Sequence, residues 1–169
     1  LTQLPNRRLF NDRPVQAVKR AQRTSSSLAL MFVDLDKFKP INDTYGHAAG
    51  DFMLQTVAKR LSGCLRASDT AARVGGDEFL GLLPDIPSGA DALAVAEKIR
   101  SALAEPCISP EGIKLCISAS IGIAIYPEHA GSEHELLRLG DRAMYEAKSA
   151  GGNRVKLFSP EDGAGHSAA

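Results

Sequence analysis

The stretch Ser27-Leu28-Ala29-Leu30-Met31-Phe32-Val33 is short, apolar and free of Gly and Pro. Such a run reads as a strand buried on both faces, and a strand covered on both faces lies in the middle of a sheet. Its continuation, Asp34-Leu35-Asp36, puts acidic side chains where the strand leaves the core, the usual place for ligand groups in α/β sheets. The other elements follow outward from this centre. A helix over residues 7–23 precedes the strand and is broken by Ser25-Ser26-Ser27. From Gly50, the apolar positions Leu54, Val57, Ala58, Leu61 and Leu65 step by three and four, which defines an amphipathic helix. Residues 70–74 and 78–83 are two apolar runs joined through Gly75-Gly76-Asp77, a β-hairpin whose glycines are expected to supply positive φ. Ala92, Ala96, Ile99 and Leu103 repeat the helical spacing before Pro106. Over 116–126, Ile117, Ala119, Ile121, Ile123 and Ile125 alternate with mostly small residues, the clearest strand in the chain. Leu136, Leu139, Ala143 and Ala147 mark a last helix that Gly151-Gly152 ends, and 154–158 reads as a final strand. The order predicts an α+β, ferredoxin-like plan with a mixed sheet of about five strands.

At 169 residues the chain fits one domain. Its 20 Lys+Arg balance 20 Asp+Glu, which excludes the strongly basic footprint of a protein held to nucleic acid through phosphates. With 5% aromatics and no Trp it is also a poor stacking platform for single strands. The charge is uneven, because Arg7, Arg8, Arg13, Lys19, Arg20 and Arg23 against Asp12 give residues 1–26 a charge of +5 and leave −5 for the remainder. Cys64, Cys107 and Cys116 are odd in number and lack ligand spacing, which fits a reducing cytoplasm better than a disulfide or zinc framework. The apolar run 28–33 is far short of the roughly 20 residues of a membrane span. A start at Leu1-Thr2 reads as a fragment of something longer, and 159–169 reads as a flexible tail after a domain over 1–158.

Asp34 and Asp36 together invite a hard cation. A calcium loop of the EF-hand type does not fit, since Lys39 stands where its Gly belongs and Tyr45 where its bidentate Glu belongs. In Arg73-Val74-Gly75-Gly76-Asp77-Glu78-Phe79 the turn needs glycine but not two adjacent acids, which repel each other unless a cation or water screens them. Taken singly, each stretch reads better as solvated turn acids than as a cation site. A strand end and a hairpin tip on one sheet can bring their carboxylates to one magnesium ion, which completes its shell with water and phosphate oxygens. That combination predicts a phosphorylated substrate.

Gly75-Gly76-Asp77-Glu78-Phe79 resembles the signature of GGDEF domains, the diguanylate cyclases of bacteria. The resemblance runs from Leu1-Thr2-Gln3-Leu4-Pro5-Asn6-Arg7-Arg8 through Asp141-Arg142-Ala143-Met144-Tyr145 to Asn153-Arg154-Val155. It implies a nucleotidyl-cyclase palm-like fold and the joining of two GTP into cyclic di-GMP with release of two pyrophosphates. It further implies Asp34, Asp77 and the Leu35 carbonyl as ligands of magnesium or manganese, and Asp77 ahead of Glu78 as proton acceptor. By the same resemblance, backbone N–H groups around Lys37 and Phe38 cradle phosphate, Lys39 neutralises transition-state charge and Lys148 grips the distal phosphates. Asn42 and Asp51 match the base-binding pair, where a carboxylate can accept from N1–H and N2–H of guanine, donors that adenine lacks there. His47 stands between them, as a pocket-lining or a packed residue.

Taken alone, Asn42 reads as a helix cap and Asp51 as a first-turn acid. Arg66-Ala67-Ser68-Asp69, separated from Gly75 by five residues, resembles the family's inhibitory product site, with Arg100 as a second contact; alone it reads as an i,i+3 ion pair. The chain departs from the family where Gly151-Gly152-Asn153 replaces Gly-Arg-Asn, so one phosphate-binding arginine is missing. The resemblance implies a homodimer, one GTP per copy, and an upstream sensory or dimerisation domain that could sit in a membrane. A catalytically weak or inactive module that senses cyclic di-GMP or GTP is the alternative.

Overall fold

The computed structural model describes residues 1–160; most of the tail expected over 159–169 lies outside the described residues. One sheet organises the chain. Its strands are β1 (Leu28–Asp36), β2 (Thr70–Arg73), β3 (Glu78–Pro84), β6 (Ser118–Tyr126) and β7 (Arg154–Leu157), in the order β2-β3-β1-β6-β7. All neighbours run antiparallel except β6 and β7, which run parallel. β1 is central, as its composition requires. Ala29, Met31, Val33 and Leu35 enter one core and Leu28 and Leu30 the other, with Phe32 packed against the second.

Helices cover both faces. On the first lie α3 (Phe38–Tyr45), α4 (His47–Gly63) and α5 (Gly89–Ala104), which bury Ile41, Leu54, Leu61, Ile99 and Leu103. On the second lie α2 (Asp12–Thr24) and α6 (Glu133–Ser149), which bury Val18, Ala21, Leu136 and Leu139. The exposed side of α2 carries Arg13, Lys19, Arg20 and Arg23, so much of the N-terminal positive charge is a solvated helix face.

The helix expected over 7–23 is divided into α1 (Arg7–Phe10) and α2. Pro14 has no N–H to offer the carbonyl four residues back, that of Phe10, so the first turn cannot continue into the second. α3 is a short helix that apolar spacing does not pick out. Its Pro40 occupies the third position, where a missing N–H costs nothing. A small second sheet pairs β4 (Cys107–Ile108) with β5 (Lys114–Leu115). Cys64, Cys107 and Cys116 are free thiols, and no helix among the described residues is long and apolar enough to cross a membrane.

The alternation in β6 has a packing purpose. Ile121, Ile123 and Ile125 fill the first core, while Gly122 faces α6. A Cβ built on Gly122 would run into the backbone of Gly140 and Met144. The helix backbone therefore rests directly on the strand, and α6 is held close enough to deliver its last turn to the end of β1.

Candidate functional site

Asp34 lies near the end of β1 and has 8% of its surface exposed. Its Oδ2 is 2.8 Å from Lys148 Nζ in the last turn of α6, and its Oδ1 is buried without a hydrogen-bond partner. Burial raises its carboxyl pKa above the ordinary value. The Lys148 hydrogen bond and charge oppose that shift, and the nearby charges of Asp77 and Asp36 reinforce it. A buried, partnerless carboxylate oxygen beside further acids is a donor arrangement that suits a hard cation.

Asp77 is brought alongside by the backbone. Leu35 N donates to the Asp77 carbonyl at 3.0 Å, and Asp34 stands opposite Glu78 in the β1–β3 ladder. The hairpin tip and the strand end therefore meet, as expected. Among the described residues no group of three or more His, Cys, Asp or Glu side chains could hold a metal ion. The two glycines do not act as expected. Neither Gly75 nor Gly76 has a left-handed φ; instead a Cβ on Gly75 would crowd Glu78 Oε2 at 3.1 Å. The turn is held by Arg73, whose guanidinium donates to the carbonyls of Gly75 at 3.1 Å and Gly76 at 2.9 Å.

Both oxygens of Asp36 are taken up by hydrogen bonds within the fold. It accepts from Ser118 Oγ and Ser120 Oγ, both at 2.7 Å, and from Asn153 N at 2.8 Å. It locks the end of β1 to β6 and to the turn after α6. A Cβ on Gly152 would meet this carboxylate at 2.9 Å, and Gly152 has φ +72°, so glycine suits the turn on both counts.

Asn42 and Asp51 take neither of their simpler roles. Asn42 lies inside α3, and its amide fills the space that a Cβ on Gly50 would need. Asp51 is exposed and beyond the first turn of α4, so it is not placed for the helix N-terminus. His47 is exposed at the start of α4, which removes the packed-core reading. Lys37 sits at the N-cap of α3 with φ +56° and makes no side-chain cap, Phe38 is buried and Lys39 is exposed. The N–H groups of this first turn thus lack a side-chain acceptor.

The Arg-x-x-Asp motif is closed on itself. Arg66 Nε and Nη2 fork onto Asp69, and Nη2 also donates to the Pro84 carbonyl at 2.8 Å. The Asp69 side chain is only 1% exposed. Arg100 is not brought to this pair. It donates to Glu97 and to Asn153 Oδ1, beside β7 at the opposite edge of the sheet from β2.

Arg73, Gly50 and the Asp36 lock escape a sequence reading, because their partners are set by turns and distant strands rather than by local pattern. Arg73 was visible only as part of the hairpin stretch, and Gly50 only as the start of a helix.

The family model described as "Diguanylate cyclase, GGDEF domain" matches residues 1–154. Diguanylate cyclase TpbB of Pseudomonas aeruginosa is 48% identical over 148 residues, covering 88% of this chain and 34% of that protein. The chain thus spans about a third of the length of that curated relative. The crystal structure of the GGDEF domain of TpbB superposes with a TM-score of 0.91 at 45% identity, covering 94% of this chain and 99% of that one. The coiled coil and GGDEF domain of DgcB from Caulobacter crescentus, in complex with c-di-GMP, gives a TM-score of 0.85 at 29% identity over 92% of this chain and 82% of that one. With the strand end, the hairpin tip and the last turn of α6 assembled as described, the chain belongs to the GGDEF-domain family.

Proposed function

We propose that this chain is a diguanylate cyclase domain, which joins two GTP into cyclic di-GMP and releases two pyrophosphates. The observation that carries the reading is the buried, partnerless Oδ1 of Asp34 beside Asp77 and Lys148. In each half-reaction the 3′-oxygen of one GTP bonds to the α-phosphorus of the other, and the bond from that phosphorus to pyrophosphate breaks. Asp34, Asp77 and the Leu35 carbonyl would hold magnesium or manganese, which would lower the pKa of the attacking hydroxyl and neutralise charge on the leaving group. Asp77 is the first candidate to take the hydroxyl proton and Glu78 the second.

Lys148 and the N–H groups around Lys37 and Phe38 hold the phosphates, and Lys39 offsets charge as it develops. Asp51 accepts from N1–H and N2–H of guanine, with Asn42 beside it and His47 at the pocket edge. Since one chain binds one GTP, turnover requires two copies facing each other, brought together by a dimerising or sensory partner. Product binding at Arg66 and Asp69 restrains the dimer; in a single chain Arg100 lies too far away to join them, so a role for it there requires a second copy.

A second reading follows from Gly152: the absence of a side chain at this turn fits a module that binds GTP or cyclic di-GMP without efficient turnover. Incubation of the chain with GTP and magnesium, with and without a fused dimerising coiled coil, separates the two. Cyclic di-GMP in the product mixture is expected. Its absence even from the forced dimer overturns the cyclase reading.

A further inference from the structure

Four residues form a row across four strands: Glu78 stands opposite Asp34, Asp34 opposite Ser120, and Ser120 opposite Arg154. Partners in a ladder share a face of the sheet, so Arg154 leaves β7 on the same side as Asp34, just past the end of α6. The row is acidic at the hairpin and basic at β7. Arg154 Nε donates to the Gly152 carbonyl at 3.1 Å, and its guanidinium bends over the turn, where a Cβ on Gly151 would be 3.2 Å from Nη2.

The turn contributes no side chains at Gly151 and Gly152, so this guanidinium forms its surface. The described residues give Arg154 no carboxylate partner. Lys148, by contrast, is already engaged with Asp34. An unpaired fork of N–H donors, held by its own backbone contact on the same face as the metal-binding acid, is an arrangement suited to phosphate oxygens.

We infer that Arg154 is a substrate-binding residue that grips the distal phosphates of a nucleoside triphosphate alongside Lys148. The inference rests on the GTP reading above. The test measures binding of a GTP analogue with a methylene group between its α- and β-phosphates, and of GMP, in magnesium by titration calorimetry. Arg154→Ala is expected to weaken the triphosphate analogue about tenfold, the scale of a lost charge-assisted pair, and to leave GMP within about twofold. Arg154→Lys, which keeps the charge and loses the fork, is expected to fall in between. If Arg154→Ala fails to fold, Arg154→Gln, whose amide can still donate to the Gly152 carbonyl, carries the same readout.

Unchanged affinity for the analogue, or an equal loss for the analogue and GMP, overturns the role of Arg154 and leaves the GTP reading standing. A wild-type chain that binds neither nucleotide overturns both.

Discussion

Asp34 is a charge of which one oxygen is out of reach of water and the other is shared with a lysine. Its folded pKa is raised, mainly by burial, so the protonated form favours the ligand-free fold. The stabilising contribution is then fully present below the unfolded value of 3.8 and is lost as pH rises through the higher folded value. Asp34→Asn removes the buried charge. It is expected to raise the melting temperature of the ligand-free protein at neutral pH, to lose the stabilisation by magnesium that wild type shows, and to make no cyclic di-GMP. Thermal melts from roughly pH 4 to 8, with and without magnesium, check this; a variant that still responds to magnesium takes Asp34 out of the site. Arg66 offers a different balance. Arg66→Ala strips the fork from an Asp69 side chain that is 1% exposed, so a loss of about 1–3 kcal/mol in denaturant unfolding is expected together with relief of product inhibition. Unchanged inhibition would remove the pair from the product site. At this scale the sequence was legible where the chemistry is local: Asp34, Asp77 and Lys148 stand out by motif. The role of Asp36 was not, because Ser118, Ser120 and Asn153 lie 82, 84 and 117 residues away, and a carboxylate beside a strand end looks the same whether it binds a cation or a serine.

Elements position these residues, and α6 on β6 is the contact that decides. The small face of β6 could be read from the alternation of residues, but its reason could not, since only the packed structure shows helix backbone lying on Gly122. Gly122→Ala would press a methyl group into Gly140 and Met144. The cost expected in denaturant unfolding is about 3 kcal/mol, typical of overpacking against atoms that cannot turn aside. Because the same shift carries Lys148 away from Asp34, activity should fall further than the folded fraction does, and activity measured per folded molecule is the check. A variant with full activity per folded molecule would show that α6 tolerates displacement. The strands and long helices were legible for the same physical reason, namely that burial on a fixed period leaves a mark in the sequence. α3 left none, since eight residues with Pro40 and only Phe38 and Ile41 buried give no periodic stripe. The hairpin glycines were misread because a dipeptide of glycine announces a turn without saying whether it is there for φ or for the space that Glu78 takes.

Across the whole molecule, the β1–β3 ladder separates the acids at the hairpin from Arg66. Asp34 pairs with Glu78 at one end of the ladder and Leu28 with Pro84 at the other, where Pro84 accepts from Arg66. At about 3.3 Å per residue the six steps span roughly 20 Å, so a ligand on Arg66 does not touch the acids of the same chain. The feedback proposed at Arg66 would then have to act on how two chains meet, or through a rigid shift of β3. The proposed cyclase reading carries a rate law. On that reading one strand end, one hairpin and one Lys148 make a single nucleotide site, and joining two nucleotides leaves an isolated chain with half of what the reaction needs. The initial rate per chain is therefore expected to rise in proportion to chain concentration while the protein is mostly monomeric, and to become independent of concentration once two copies are joined through a parallel coiled coil fused before Leu1. Sedimentation measured beside the rates fixes the monomer fraction. A rate per chain that stays constant with dilution in a population shown to be monomeric would mean that one chain completes the reaction alone, and would overturn the half-site reading.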